Sequence, residues 1–422
     1  MKKKLLSALL SAVMVMMPLG VHAGESETIS QDAAELAPSA QAVCLIEASS
    51  GRQLYARQEN KRMYPASMTK MMGLLLIYEE LHSGALKLSD QVSASAEAAG
   101  MGGSQIYLKE GETMSVEDLL KSICIASAND AMVAMAEQIS GTQEAFVERM
   151  NEKAQELKLS NTHFTNASGL HDPQHYSCAS DMARIASALL QEGGEELLAI
   201  TGTYDAYIRE DSAQKFWLVN TNKLIRQMQG ADGLKTGYTD QAGSCITATA
   251  CRNSLRLIAV VMHEPDSATR NQETIQLLEY GFSRYEQKQL YAAGDEVDTL
   301  TIEKGDPSRV GLIAREDAYF MYEKGKESKV SSTKIELVKK ELPYDPKDTV
   351  ARAHVKMSDG YTFTVDLGVK EAVRPMSFLQ LWIRAARNVR LGGHFLSSGV
   401  ERFCWRILTT FVAFFPCRTA LW

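Results

Sequence analysis

The chain has 422 residues, of which 45% are hydrophobic and 23% charged, and its formal net charge is −7. These are ordinary globular proportions, which exclude a disordered, collagenous or coiled-coil chain, and the length predicts two or three domains. An acidic balance with no basic domain argues against nucleic acid as a partner.

The N-terminus comes first. Lys2, Lys3 and Lys4 precede an apolar run from Leu5 to Gly20, and Val21-His22-Ala23 ends on a small residue. This pattern predicts a secretory signal over 1–23, since the run is short for a membrane span. Its removal takes away three lysines and moves the formal charge from −7 to −10. Export from the cytoplasm is therefore expected.

Residues 24–37 are polar and acidic and read as a linker. Residues 40–47 predict a strand, closed by the Ser49-Ser50-Gly51 turn. Residues 66–82, rich in Met, Leu and Ile, predict a buried helix. Residues 119–139 predict a second helical stretch, interrupted by Ser127-Ala128-Asn129, and residues 181–190 a third. Residues 243–250 and 256–263 predict paired strands, and 273–282 a closing helix.

The texture changes after about Lys288. Short strand-like runs at 310–313 and 334–338, separated by charged turns, predict a small all-β domain over 289–372. It changes again near Pro375. From Met376 to Trp422 there are six arginines, no lysine and one acid, Glu401. At 100° per residue, Phe378, Leu381, Trp382, Ala385, Ala386 and Val389 share one side, and Arg384, Arg387 and Arg390 the other, with Ile383 misplaced among them. A basic amphipathic helix of this type lies in a membrane interface. The segment 373–422 is therefore expected to touch a membrane surface. The run 407–415 is too short to span one.

Seven cysteines are present: Cys44, Cys124, Cys178, Cys245, Cys251, Cys404 and Cys417. Their number is odd, their spacing irregular, and there is no CxxC. They are expected to act as buried small hydrophobes rather than as a disulfide framework.

Three short motifs could carry chemistry. In Pro65-Ala66-Ser67-Met68-Thr69-Lys70, proline near a helix start places Ser67 in the first turn. Lys70, three residues on, shares its face. A serine hydroxyl needs a base to take its proton, and a lysine is that base only if burial or a second cation lowers its pKa. Two other SxxK stretches, 212–215 and 331–334, lie in polar surroundings and read as solvated surface. Ser127-Ala128-Asn129 is the only SxN, beside a helix that Ser and Asn would otherwise disfavour. Lys235-Thr236-Gly237 is the only KTG. Its glycine lets a ligand approach a strand closely, and its Lys and Thr offer donors to a carboxylate.

The order SxxK, SxN, KTG, with gaps of 60 and 108 residues, resembles the serine-type D-alanyl-D-alanine carboxypeptidases, the low-molecular-weight penicillin-binding proteins of peptidase family S11. The resemblance runs from about Pro38 to Gly368. It includes residues 166–173, 220–224, 232–239 and 278–282. It implies an α/β fold: a β-lactamase/transpeptidase-like domain over 38–288, with an antiparallel sheet flanked by helices. The small all-β domain and the C-terminal amphipathic helix follow.

The resemblance also implies residue roles. Ser67 is the acyl nucleophile and Lys70 its base, and Ser127 passes a proton to the leaving amine. Asn129 binds the substrate amide or holds Lys70. Lys235 and Thr236, beside Gly237, grip the terminal carboxylate. The backbone N–H groups of Ser67 and Tyr238 form the oxyanion hole. Arg270 is a candidate second carboxylate anchor, with surface placement its default. The implied substrate is the peptidoglycan pentapeptide stem ending in D-Ala-D-Ala, and β-lactam antibiotics are the implied inhibitors. The implied location is the outer face of the cytoplasmic membrane or the cell wall space. No metal or organic cofactor is needed for this chemistry.

Three rival readings are weaker. A β-lactamase of class A would have Asn where Ser160 follows Glu156-Leu-Lys-Leu, and Asp where Ala128 stands. A metal hydrolase would need His163, His171, Asp172 and His175 to cluster, and residues 171–175 are not one regular helix. A cell-wall scaffold with a dead site is opposed by the intactness of every expected position.

Overall fold

The computed structural model describes residues 35–210 and 214–391. The expected signal, most of the linker, Ser212, Cys404, Cys417 and the tail beyond 391 lie outside the described residues.

One five-stranded antiparallel sheet organises the first half of the molecule. In spatial order its strands are Gln53–Arg57, Ala42–Glu47, Leu255–Glu264, Gly243–Arg252 and Ala231–Thr239. The strand Ala42–Glu47 is buried at every position, which explains its unbroken apolar run. Successive side chains of a strand point to opposite faces. Accordingly Ala42, Cys44 and Ile46 join one core, with Ile258, Val260 and Met262. Val43 and Leu45 join the other, with Leu257, Ala259 and Val261. The expected strand pair is present. Asn253 and Ser254, with φ of 49° and 67°, make the two-residue turn that joins them.

The larger core holds the helices. Lys70–Ser83 is buried from Lys70 through Tyr78, as an all-round apolar helix must be, and stops at Gly84, φ 78°. The predicted break at 127–129 separates Val116–Ile125 from Asn129–Ser140. The third helix is longer than predicted. It runs Ala179–Thr201 and passes Gly194 with a kink. The closing helix also starts earlier, at Ser267, because Asp266 caps it by accepting from Ala268 N–H and Thr269 N–H. It covers the second face of the sheet with Leu277, Leu278 and Phe282.

The strand Tyr285–Tyr291 follows this helix directly and pairs with Ala318–Glu323. A second five-stranded sheet, all antiparallel, follows in the order Glu296–Thr301, Arg309–Ala314, Thr362–Val369, Ala351–Met357, Val330–Leu337. It has its own core, built on Val310, Leu312, Val355, Leu367 and Val369. The molecule is thus a helix-and-sheet domain followed by an all-β domain, as expected. Arg52 joins the two through Asp359, 3.1 Å away.

Cys44, Cys124, Cys178 and Cys245 are buried free thiols, as expected; Cys251 is free but only half-buried. The last described helix is Phe378–Leu391. Among the described residues no helix is long and apolar enough to cross a membrane.

Candidate active site

Three of the predicted motifs converge against the edge strand Ala231–Thr239. The first carries a correction. Ser67 does not sit in an α-helical turn. Ala66–Thr69 is a 3₁₀ turn, and Lys70 opens the α-helix behind it. At three residues per turn, positions i and i+3 eclipse. The tighter turn therefore aligns the pair, and Lys70 Nζ lies 2.9 Å from Ser67 Oγ. Ala66 holds φ 48°, a left-handed conformation costly for a residue with a Cβ.

The second motif fills the gap between two helices. Ser127 is buried with φ 64°. Ala128 N–H donates to Ser122 O at 3.1 Å and Asn129 N–H to Ser104 O at 2.7 Å, so the broken backbone stays paired. Asn129 then points both ends inward. Its Oδ1 accepts from Lys70 Nζ at 2.6 Å, and its Nδ2 donates to Gly102 O at 2.7 Å.

The third motif lies on the edge strand itself. Lys235 and Thr236 are buried and Tyr238 is exposed. A Cβ on Gly237 would sit 2.7 Å from Pro65 O and 3.2 Å from Ser67 N. Only glycine lets the strand pass this close to the serine turn. Thr236 Oγ1 donates to Thr221 Oγ1 at 2.8 Å. Asn222 Nδ2 donates to Gly233 O at 2.8 Å, and Asn220 Oδ1 accepts from Asn222 N–H, also at 2.8 Å. The 220–224 stretch therefore braces the strand.

A fourth segment, within the 166–173 stretch of the resemblance, reaches the site in a role that sequence reasoning did not assign. Ser168 O accepts from Lys70 Nζ at 2.7 Å. The turn that presents it is held by Asn166 Oδ1, which accepts from Gly169 N–H at 2.7 Å and Ser168 Oγ at 3.1 Å. Gly169, φ 84°, packs so tightly that a Cβ would lie 1.9 Å from Ala66 O. The Asn-Ala-Ser-Gly order carried the signal, because Asn closes such turns on its own backbone.

His175 lies in a loop, yet it packs against the serine turn. It is buried, and its Nδ1 accepts from Thr165 N–H at 3.1 Å. The proton therefore resides on Nε2, which donates to Thr69 Oγ1 at 2.7 Å. Burial lowers its pKa to about 4, which keeps it neutral. Of the rival features, Glu156 is exposed at the end of helix Gln143–Glu156 and pairs with Lys153. Lys334 of the third SxxK is exposed on the strand Val330–Leu337.

The electrostatics favour a neutral amine at Lys70. Burial, then the charge of Lys235, push its pKa well below the usual lysine value. Lys235 is itself lowered to about 8, chiefly by burial and further by Arg270. Arg270 is buried, not at the surface. Its Nη2 donates to Asn271 Oδ1 at 2.9 Å. A neutral amine has two N–H groups and one lone pair. Asn129 Oδ1 and Ser168 O can only accept, so they take both N–H groups. The lone pair is left for the Ser67 hydroxyl proton, which is the arrangement of an activated nucleophile.

Comparison with known proteins points to one family. A family model for D-alanyl-D-alanine carboxypeptidase matches residues 27–266, and one for the C-terminal domain of penicillin-binding protein 5 matches 285–375. The chain is 45% identical over 328 residues to the D-alanyl-D-alanine carboxypeptidase DacF of Bacillus subtilis, covering 77% of this chain and 82% of that one. Penicillin-binding protein 5 of Haemophilus influenzae superposes with a TM-score of 0.64 at 33% identity, over 81% of this chain and 99% of that one. Penicillin-binding protein D2 of Listeria monocytogenes, solved in its ampicillin-bound form, gives a TM-score of 0.52 at 30% identity, over 58% and 98%.

Proposed function

This chain belongs to the D-alanyl-D-alanine carboxypeptidase family of penicillin-binding proteins, and from that membership we propose how its residues divide the work. It is a serine-type carboxypeptidase, a hydrolase, and enzymes of this family act on peptidoglycan outside the cytoplasm. The reading of its site rests on one observation, a fully buried Lys70 amine 2.9 Å from the Ser67 hydroxyl.

The substrate is a pentapeptide stem ending in D-Ala-D-Ala. Lys235, charged below about pH 8, and Thr236 hold its terminal carboxylate. Ser67 Oγ bonds to the carbonyl carbon of the fourth residue while its proton passes to Lys70 Nζ. The backbone N–H groups of Ser67 and Tyr238 receive the oxyanion. The C–N bond then breaks, and the proton moves from Lys70 through Ser127 to the leaving amine, so D-Ala departs neutral at that nitrogen. Water adds to the acyl-enzyme as Lys70 takes its proton, and Lys70 returns that proton to Ser67 Oγ as the ester C–O bond breaks, which frees the serine and the shortened stem. Asn129 orients Lys70 throughout. β-Lactams enter as mimics of the dipeptide and stall at the acyl stage.

The proposed precursor has an export signal over 1–23, a linker over 24–37, the catalytic domain over 38–288, the β domain over 289–372 and a membrane-associated segment over 373–422. Helix Phe378–Leu391 supports the last assignment. Its Phe378 is 84% exposed, and Leu379, Trp382 and Ile383 are exposed beside it. Arg384 Nη1 meanwhile donates to Glu303 O at 3.0 Å. Such a helix would hold the enzyme at the outer face of the cytoplasmic membrane, with the β domain as spacer.

The test is incubation with a fluorescent penicillin, followed by intact mass, peptide mapping and assay of D-Ala release from a pentapeptide. An adduct on the peptide containing Ser67, with free D-Ala released, is the expected result. Intact penicillin with no adduct would leave a dead scaffold. Hydrolysed penicillin without an adduct would return the β-lactamase reading.

A further inference from the structure

Large aromatic side chains normally leave the surface of a folded domain, and those that stay exposed in a group mark binding sites. Among the described residues of the catalytic region, the strongly exposed aromatics are Tyr107, Tyr207, Trp217 and Tyr238, at 67%, 44%, 54% and 64%. Tyr238 directly follows the KTG glycine. The other three are gathered on two elements anchored to the same cleft.

Tyr207 and Trp217 belong to the hairpin of Asp205–Ile208 and Phe216–Val219. They are direct cross-strand partners, so both rings stand on one face. The opposite face carries Ile208 and Leu218 into the main core. The hairpin is therefore amphipathic with two aromatics on its wet side, where polar residues would serve solubility better. Trp217 Nε1 donates to Asp205 Oδ2 at 2.9 Å, which pins the indole, and Lys215 Nζ lies 4.1 Å from the Tyr207 ring centre. Tyr107 stands at the margin, its ring 6.0 Å from that of Phe216. It is held out at φ 58°, an uncommon conformation for a residue of its size.

Both elements are tied to catalytic motifs. Two residues past the hairpin, Thr221 accepts from Thr236. Five residues before Tyr107, Gly102 O accepts from Asn129. Trp217 lies four residues from Thr221, which is ~13 Å in extended chain. In peptidoglycan the first residue of the stem is joined to a sugar of the glycan strand, and the bond cut follows the fourth. Four extended residues span ~14 Å. A stem whose D-Ala-D-Ala end occupies the cleft can thus bring its sugar to the hairpin.

We propose that Tyr207 and Trp217, with Tyr107 at their edge, form a stacking platform for the pyranose rings of the glycan strand that carries the stem. Ring faces offer the apolar surface that a pyranose C–H face covers. The exposed Asp205 carboxylate and Lys215 ammonium beside them suit hydroxyl and acetamido groups. The inference rests on the carboxypeptidase reading and adds to it a preference for stems still attached to sugar.

The experiment compares two substrates of the same peptide sequence, a free pentapeptide and a disaccharide-pentapeptide, cut by wild type, Trp217→Ala and Trp217→Phe. The expected result has three parts. Wild type prefers the disaccharide substrate. Trp217→Ala lowers kcat/KM on that substrate roughly tenfold, mostly through KM, and leaves the free peptide and the rate of penicillin labelling unchanged. Trp217→Phe recovers most of the loss. Equal losses on both substrates would overturn the proposal in favour of a peptide subsite. No loss on either would overturn it outright. If wild type labels with penicillin and releases D-Ala yet ignores the sugar, the platform falls while the enzyme reading stands. If it does neither, the enzyme reading itself falls.

Discussion

Ser67-x-x-Lys70 and Ser331-x-x-Lys334 are the same motif placed in two environments. The first spans a 3₁₀ turn and the start of a buried helix, and its amine is 2.9 Å from its hydroxyl. The second lies on the exposed strand Val330–Leu337, where three residues of extended chain cover ~10 Å. Ser331 sits at a register shift, and Lys334 pairs across the sheet with His354. Both lysines are the same chemical group. Burial and a second buried cation push the pKa of Lys70 well below the usual lysine value, as its proposed role as a base requires. Reactivity here belongs to the surroundings of the motif, and the surroundings are made by distant parts of the chain. Asn129, Ser168 and Lys235 lie 59, 98 and 165 positions from Lys70.

Alanine replacements should separate the two regions most widely. Ser67→Ala should abolish both the penicillin adduct and D-Ala release, and Lys70→Ala should slow acylation by roughly 10³-fold. Ser331→Ala and Lys334→Ala should leave both rates at the wild-type level in the same labelling assay. A measurable fall in the second pair would mean that the exposed strand contributes to the site.

Gly169→Ala should come next. Its Cβ would fall 1.9 Å from Ala66 O, and its φ of 84° disfavours any side chain. The Ser168 carbonyl and the serine turn must then move apart. We expect a loss of roughly 100-fold in acylation and about 1–3 kcal/mol of stability, read by denaturant unfolding. Gly360→Ala, in the β domain, has φ 86° but open space around its Cβ position. It should cost about 1 kcal/mol and no activity. Equal activity losses would show that the tight contact at Ala66 is unimportant.

The smallest effect concerns pH. In the proposed mechanism Lys70 acts when neutral, so acylation should rise with pH through its depressed pKa and then level. Lys235 is proposed to act when charged, so kcat/KM should fall again above about pH 8. Lys235→Arg keeps its charge to much higher pH, and should retain partial activity while losing the alkaline fall. An alkaline limb that persists in this variant would assign it to another group.

Much of this was legible in the sequence. The two-sided burial of Ala42–Glu47 follows from its unbroken apolar run, and the break at Ser127-Ala128-Asn129 follows from polar residues between two apolar stretches. The order of the motifs pointed to the family and to Ser67, Lys70 and Lys235. The start of the closing helix is also written there, in the Asp266 cap. What escaped lay in backbone atoms and in contacts across the fold. The Asn166-Ala167-Ser168-Gly169 order marks a turn, but nothing local in it says that the Ser168 carbonyl reaches Lys70, 98 positions away. His175 could not be assigned to Thr69 because 106 residues separate them.

The sequence by itself determined the alternation of buried and exposed positions, the element types and the identities of the reactive groups, because these depend on local composition and spacing. Tertiary structure supplied the surroundings that the proposed nucleophile and base need. It buried Lys70 beside Lys235, supplied two carbonyl oxygens to occupy its N–H groups, and brought a glycine strand against the serine turn. A pKa shift of that kind comes from desolvation and a neighbouring charge. Both are properties of the packed molecule and of no single stretch of chain.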